Sequence, residues 1–201
     1  LNEFSAAFGL GQPTGIELTE RVGTLPANKP GEDQAPWAGF GQANMLFTPL
    51  QLANYIATLV RGGERYGAHL LKDVTAYDGS GVLYSPEPQL LSQLELDEAN
   101  LAAVKKGMGD LASTGSVGAQ FARCVVTAGA KTGSAQTGDA VADGVFVCFA
   151  PFDEPEVAVA IVIERGKAGA ALASTAVDIL NAYFSPGDVG VLLTPEGTLL
   201  P

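Results

Sequence analysis

Three β-rich runs and one helix in the last third of the chain constrain its fold more than any other feature. The runs are Val125 to Gln136, Val145 to Ala150 and Val157 to Glu164, with turn signals between them. Val157-Ala158-Val159-Ala160-Ile161-Val162-Ile163 is almost continuously apolar, as befits a central strand covered on both faces. Ala168 to Phe184 then reads as a helix rich in small residues. Strand, strand, strand and helix with short links predict an antiparallel meander backed by a helix, an α+β arrangement.

The front of the chain reads as helices separated by punctuated loops. Asn2 to Phe8 is a short helix closed by Gly9 and Gly11. Ile16-Glu17-Leu18 resembles a brief strand, and Arg21 to Ala38 is a surface loop whose only tryptophan, Trp37, is expected to anchor it on the core. Thr48 as N-cap, Pro49 at the first helical position and Gly62-Gly63 past the end frame a helix with Leu52, Ile56, Leu59 and Val60 on its buried stripe. His69 to Val74 reads as a strand and Asp78-Gly79-Ser80-Gly81 as a hairpin turn. Asp97 to Leu111 is a further helix with Leu101, Val104 and Met108 on one side. The Gly- and Pro-rich tail 186–201 receives no assignment.

Composition excludes several functions. The net charge of -11 and pI near 4.4 argue against sequence-independent nucleic-acid binding and against adhesion to anionic lipid. Cys124 and Cys148 lie in apolar runs with neither zinc nor Cys-x-x-Cys spacing, so they read as small buried hydrophobes. No run approaches the length of a membrane span. His69 is the only histidine and sits far from any suggestive serine, and Asp153-Glu154-Pro155-Glu156 reads as a turn between strands. No metal and no cofactor is expected.

The segment that suggests chemistry is Lys131-Thr132-Gly133-Ser134. A cation beside two hydroxyls on a strand, with a glycine that lets a ligand backbone approach, makes a carboxylate site. A phosphate-binding loop also carries Lys-Thr, but it requires glycines where this chain has Ala130 and Val125. By itself the triplet is far more often an ordinary exposed turn and decides nothing.

Context separates those readings. Ala128-Gly129-Ala130-Lys131-Thr132-Gly133-Ser134-Ala135-Gln136-Thr137-Gly138 resembles the K-T-G element of penicillin-binding serine acyl-transferases. Gly41-Gln42-Ala43-Asn44, followed by Thr48-Pro49-Leu50-Gln51-Leu52-Ala53, resembles the helix region of class B, high-molecular-weight members, and so does Leu10-Gly11-Gln12-Pro13-Thr14-Gly15-Ile16-Glu17-Leu18. The three segments occur in the family's order and the resemblance spans roughly 1–184. Two positions depart from it: Ala130 stands for the Gly that usually precedes the Lys, and Ala43 for the second Gly of Gly-Gln-Gly.

The resemblance implies a penicillin-binding transpeptidase or serine β-lactamase-like fold, with an antiparallel sheet flanked by helices and incomplete on its N-terminal side. The family's S-x-x-K and S-x-N motifs are absent here and precede the matching segments, and Leu1-Asn2-Glu3-Phe4 reads as the middle of a helix. The expectation is therefore the C-terminal portion of a transpeptidase domain over 1–185 plus the tail, with one sheet face bare where the nucleophile-bearing part is missing. By resemblance Lys131 shapes the field around the nucleophile and draws in the substrate carboxylate. Thr132 and Ser134 donate to that carboxylate, Gly133 and Gln136 complete the binding strand, and the Ser134 N–H supplies half of an oxyanion hole. The implied partners are a stem peptide ending in D-Ala-D-Ala or a β-lactam, and the N-terminal part of the same protein, at the extracytoplasmic face of a bacterial membrane. The fragment itself is expected to touch neither membrane nor nucleic acid. Alternatives left open are a non-catalytic peptide- or partner-binding domain of this fold, and a β-lactam sensor or hydrolase.

Overall fold

The computed structural model describes residues 1–26, 35–136, 138 and 141–185; the loop at 27–34 and the tail at 186–201 lie outside them. In chain order the elements are α1 (Asn2–Ala7), α2 (Ala35–Gly39), α3 (Pro49–Val60), β1 (Glu64–Tyr66), β2 (Val74–Thr75), β3 (Val82–Tyr84), β4 (Leu90–Gln93), α4 (Glu98–Ser113), α5 (Gly118–Phe121), β5 (Gly129–Ala135), β6 (Asp143–Ala150), β7 (Val157–Ile163), a 3-10 turn (Gly169–Leu172) and α6 (Ala173–Phe184).

The expected meander forms a three-stranded antiparallel sheet in the order β5-β6-β7, with β1-β4 and β2-β3 as separate two-stranded ribbons. Side chains alternate across β6 with period two. Phe146, Cys148 and Ala150 join Val117, Phe121, Leu172, Ala176, Val177 and Leu180 in a core under α5 and α6. Val147 and Phe149 face the other way, into a core built with Phe8 at the end of α1, Ile56 and Leu59 of α3, Leu94 just after β4, and Met108 of α4. Both faces are therefore covered, and the expectation of a bare sheet face is corrected: α3 and α4 supply the second layer from within this chain.

The apolar run over Val157–Ile163 needs a second correction. It does touch both cores, through Val157, Val159 and Ile161 on one face and Ala158 and Ala160 on the other. Yet the central strand is β6, and β7 pairs only with β6 among the described residues. Its Val162 and Ile163 stand exposed. Burial on two faces does not make a strand central; that also requires neighbours along both edges.

Local signals in the front half fare unevenly. Thr48 and Gln51 form a reciprocal capping box, with Gln51 N–H donating to Thr48 Oγ1 at 3.1 Å and Thr48 N–H to Gln51 Oε1 at 3.0 Å. The Gln51 amide, 1% exposed, also donates to the carbonyls of Gln12 at 2.9 Å and Val22 at 2.7 Å. One buried side chain thus starts α3 and pins two loops. Asp97 caps α4 through Asn100 N–H at 2.8 Å, while Val104 faces outward rather than into the core. The Asp78–Gly81 turn closes the β2-β3 hairpin, but the strand expected over His69–Val74 begins only at Val74.

Ile16-Glu17-Leu18 is not a strand either. The Glu17 carboxylate accepts from Leu70 N–H at 2.8 Å and Leu71 N–H at 3.3 Å, a loop clip that replaces ladder pairing. Those backbone donors, Leu70 first, hold the Glu17 carboxyl below its ordinary pKa.

Gly41 and Ala43 both adopt left-handed backbone, at φ 83° and 81°. Alanine there costs about 1 kcal/mol relative to glycine. Ala43→Gly is expected to leave stability unchanged or raise it by up to ~1 kcal/mol, because the relief is partly offset by unfolded-chain entropy; urea melts check this. Gln51→Ala is expected to cost about 3 kcal/mol, since it strands buried backbone groups as well as uncapping α3. A loss below about 1 kcal/mol in the same melts would show that the loops do not depend on this amide.

Candidate active site

The Lys131–Ser134 segment lies on β5, paired with Val147 through Gly144 of β6. In an antiparallel ladder every second residue turns its N–H and C=O away from the partner strand. The Lys131 ammonium donates to the Thr132 carbonyl, and the Gln42 amide donates to the Ser134 carbonyl at 3.2 Å. These bonds identify Thr132 and Ser134 as the outward-facing residues. No described strand pairs with that edge of β5. An open edge with a cation and two hydroxyls beside it can accept an extended ligand by strand addition.

The sheet register and the α4 packing make this edge firm. Ala130, immediately before Lys131, is fully buried opposite Cys148, so its methyl fills the core rather than the site. A Cβ on Gly133 would meet Val145 Cβ at 3.3 Å, so a larger residue there requires Val145 to yield by a few tenths of an ångström. Lys131 and Ser134 are exposed and Thr132 is half-buried. An opening of about 420 Å³ lies between α4 and β5, lined by Val104, Met108, Leu111, Ala130, Lys131 and Thr132. Gln136 sits exposed just past the end of β5.

Two residues to which the sequence assigned no role reach the same strand: Gly169, and Gln42 of the Gly41–Asn44 segment. Gly169 N–H donates to Ser134 Oγ at 3.2 Å, and a Cβ on Gly169 would meet the carbonyl oxygens of Gly133 and Val145 at 2.2 Å. Gln42 lies 92 positions from Ser134 in sequence, so no local spacing could link them. Its own N–H donates to the Trp37 carbonyl at 2.9 Å, which brings the α2 loop alongside. Trp37 does not pack on the core as expected; it is 53% exposed and tilted against Phe40, ring centroids 5.4 Å apart. The five-residue α2 is too short to bury it.

Other candidates are displaced by the geometry. Among the described residues no serine, threonine or cysteine side chain is hydrogen-bonded to a lysine or histidine side chain. His69 Nδ1 lies 2.9 Å from the Leu71 carbonyl, within the Glu17 loop clip. The Cys148 thiol is pushed up to about 12 by burial, with Cys124 adding to the shift, so it stays protonated and inert at neutral pH. A larger opening, about 560 Å³, lies between α4, α5 and the lead into β5, where Lys106 and Asp110 pair at 2.6 Å; it does not include the Lys131 edge. Among the described residues no cluster of three or more His, Cys, Asp or Glu could hold a metal, and no helix is long and apolar enough to cross a membrane.

Comparison with known proteins identifies the family. The family model "Penicillin binding protein transpeptidase domain" matches residues 1–183. The chain is 33% identical to penicillin-binding protein 2A of Bacillus subtilis, over 81% of this chain and 24% of that protein. It is 30% identical to peptidoglycan D,D-transpeptidase MrdA of Escherichia coli, over 98% of this chain and 35% of that protein. Among solved structures, penicillin-binding protein 2B of Streptococcus pneumoniae superposes with a TM-score of 0.77 at 23% identity, covering 92% of this chain and 32% of that one. Penicillin-binding protein 2 of Pseudomonas aeruginosa does so with a TM-score of 0.71 at 26% identity, covering 98% and 44%. The chain thus spans about a quarter to a third of the curated relatives it matches. By its fold, its Lys-Thr-Gly strand and these likenesses, the chain belongs to the penicillin-binding protein transpeptidase family.

Proposed function

We propose that this chain is the carboxylate-reading and oxyanion-reading portion of a peptidoglycan D,D-transpeptidase, the catalytic serine being supplied by the part of the protein that precedes it. The observation that carries this reading is the open outer edge of β5, where Thr132 and Ser134 turn outward beside Lys131. A stem peptide ending in D-Ala-D-Ala would lie along that edge as an added strand. Its terminal carboxylate is held by the Lys131 ammonium and the Thr132 and Ser134 hydroxyls. The Ser134 hydroxyl keeps its O–H available, because in its bond with Gly169 it accepts. Gly133 allows close approach of the ligand backbone, and Gln136 borders the path of the stem.

The chemistry is acyl transfer through a serine ester. The serine oxygen bonds to the penultimate D-Ala carbonyl carbon, and that carbon's bond to the terminal D-Ala nitrogen breaks. The serine proton ends on the departing amine. The amine of a second stem peptide then bonds to the ester carbon, the bond from that carbon to the serine oxygen breaks, and the attacking amine gives up one of its own protons to that oxygen. In both steps negative charge builds on the carbonyl oxygen, and in this reading the outward Ser134 N–H donates to it; one such donor contributes about 3 kcal/mol. A β-lactam enters the same way, except that ring opening leaves its amine tethered. The family relationship supports an extracytoplasmic location for the whole protein, with 1–185 as part of the transpeptidase domain; for the tail no role is proposed.

The test is acylation of the full-length protein by a fluorescent penicillin. The expected result is one labelled serine upstream of Leu1. Lys131→Ala should lower the acylation rate roughly 100-fold, in line with losing about 3 kcal/mol of charge stabilisation. No labelling of the folded wild-type protein would favour a non-catalytic peptide-binding domain and end this reading.

A further inference from the structure

Ser134 is held by three elements at once. The β5-β6 ladder sets its place opposite Gly144. From the α6 side of the sheet, Gly169 N–H fixes its hydroxyl at 3.2 Å. Across the open edge, Gln42 Nε2 fixes its carbonyl, also at 3.2 Å. Gly169 can approach only because it lacks a Cβ, which would otherwise sit 2.2 Å from two strand carbonyl oxygens. Gln42 is delivered by a tight loop in which Gly41 N–H donates to Ala38 O at 3.1 Å and Gln42 N–H to Trp37 O at 2.9 Å. Its neighbours on both sides take left-handed backbone, alanine included. A loop that keeps an alanine in that conformation is holding the amide at a defined place.

Edge residues have ladder bonds on one side only, so their outward peptide groups are free to tilt unless something else restrains them. An oxyanion donor is useful in proportion to how little it must reorient as charge develops. We propose that Gln42, with Gly169 as its counterpart on the sheet face, is a positioning residue that pre-organises Ser134 so that its N–H meets the developing oxyanion without rearrangement. Gln42 leaves the second lone pair of the Ser134 carbonyl available to a ligand N–H, so it restrains the strand without blocking the edge. The inference rests on the acyl-transfer reading above.

Single-turnover acylation of the full-length protein by a fluorescent penicillin separates the two. Gln42→Met keeps the side-chain length and removes the donor; Gln42→Ala removes it without adding bulk. Both are expected to lower the first-order acylation rate constant about fivefold, the equivalent of one lost hydrogen bond, while the noncovalent dissociation constant changes less than twofold. That rate constant is read on the labelled fraction alone, so partial misfolding changes the amplitude and not the rate. Melting temperatures within about 2 °C of wild type confirm that the fold is intact. A rate constant within twofold of wild type in both variants overturns the positioning role. A faster rate also overturns it, and marks Gln42 as a competitor for the carbonyl. Wild-type protein that fails to acylate at all refutes the proposed function instead.

Discussion

Burial of β6 on both faces is the constraint on which the rest of the structure depends. Phe146, Cys148, Phe149 and Ala150 are fully buried and Val147 nearly so. Removing such side chains from water contributes on the order of 10 kcal/mol in total, an upper estimate because unfolded chains are already partly collapsed. With two different cores gripping alternate residues, β6 cannot slip by one position without turning every buried side chain to the wrong face. The register of β5 follows, and with it the outward direction of Thr132 and Ser134.

The site is an edge made precise by its surroundings. A free strand edge is ordinarily a liability, since unpaired N–H and C=O groups invite adventitious pairing. On β5 the exposure is confined to the stretch that would read a ligand. Its two outward carbonyls already carry a side-chain donor each, from Lys131 and from Gln42. The edge of β7 is the contrasting case, its apolar Val162 and Ile163 having no strand beside them among the described residues. Both edges belong to the same small sheet, yet one is equipped with polar chemistry and the other with hydrophobic surface.

Much of this was legible in the sequence where the signal is local. The Thr48 cap, the helix from Asp97, the Asp78–Gly81 turn and the three strand cores were each written in neighbouring residues. Lys131-Thr132-Gly133-Ser134 stood out as a local pattern, but its reading as a site came from the resemblance that three separate segments carry together. What could not be read were relations between distant segments. The apolar run of Val157–Ile163 discloses its burial but not its place in the strand order. Glu17 looked like part of a strand because nothing nearby revealed that it would bond Leu70 and Leu71. Trp37 looked like an anchor because a lone tryptophan usually is, yet it stands half exposed beside Phe40. Gln42 and Gly169 carried no chemical signal, and their value appears only when the fold brings them to Ser134.

The central claim is that the outward N–H of Ser134 receives the oxyanion of an acyl-enzyme whose serine lies upstream. A crystal structure of the full-length protein acylated by a penicillin tests it most directly. The ester carbonyl oxygen is predicted to sit about 2.7–3.1 Å from Ser134 N, with the ligand carboxylate against Lys131 and Thr132. An acyl group whose carbonyl oxygen points away from β5, or whose carboxylate is held by other residues, would contradict the account.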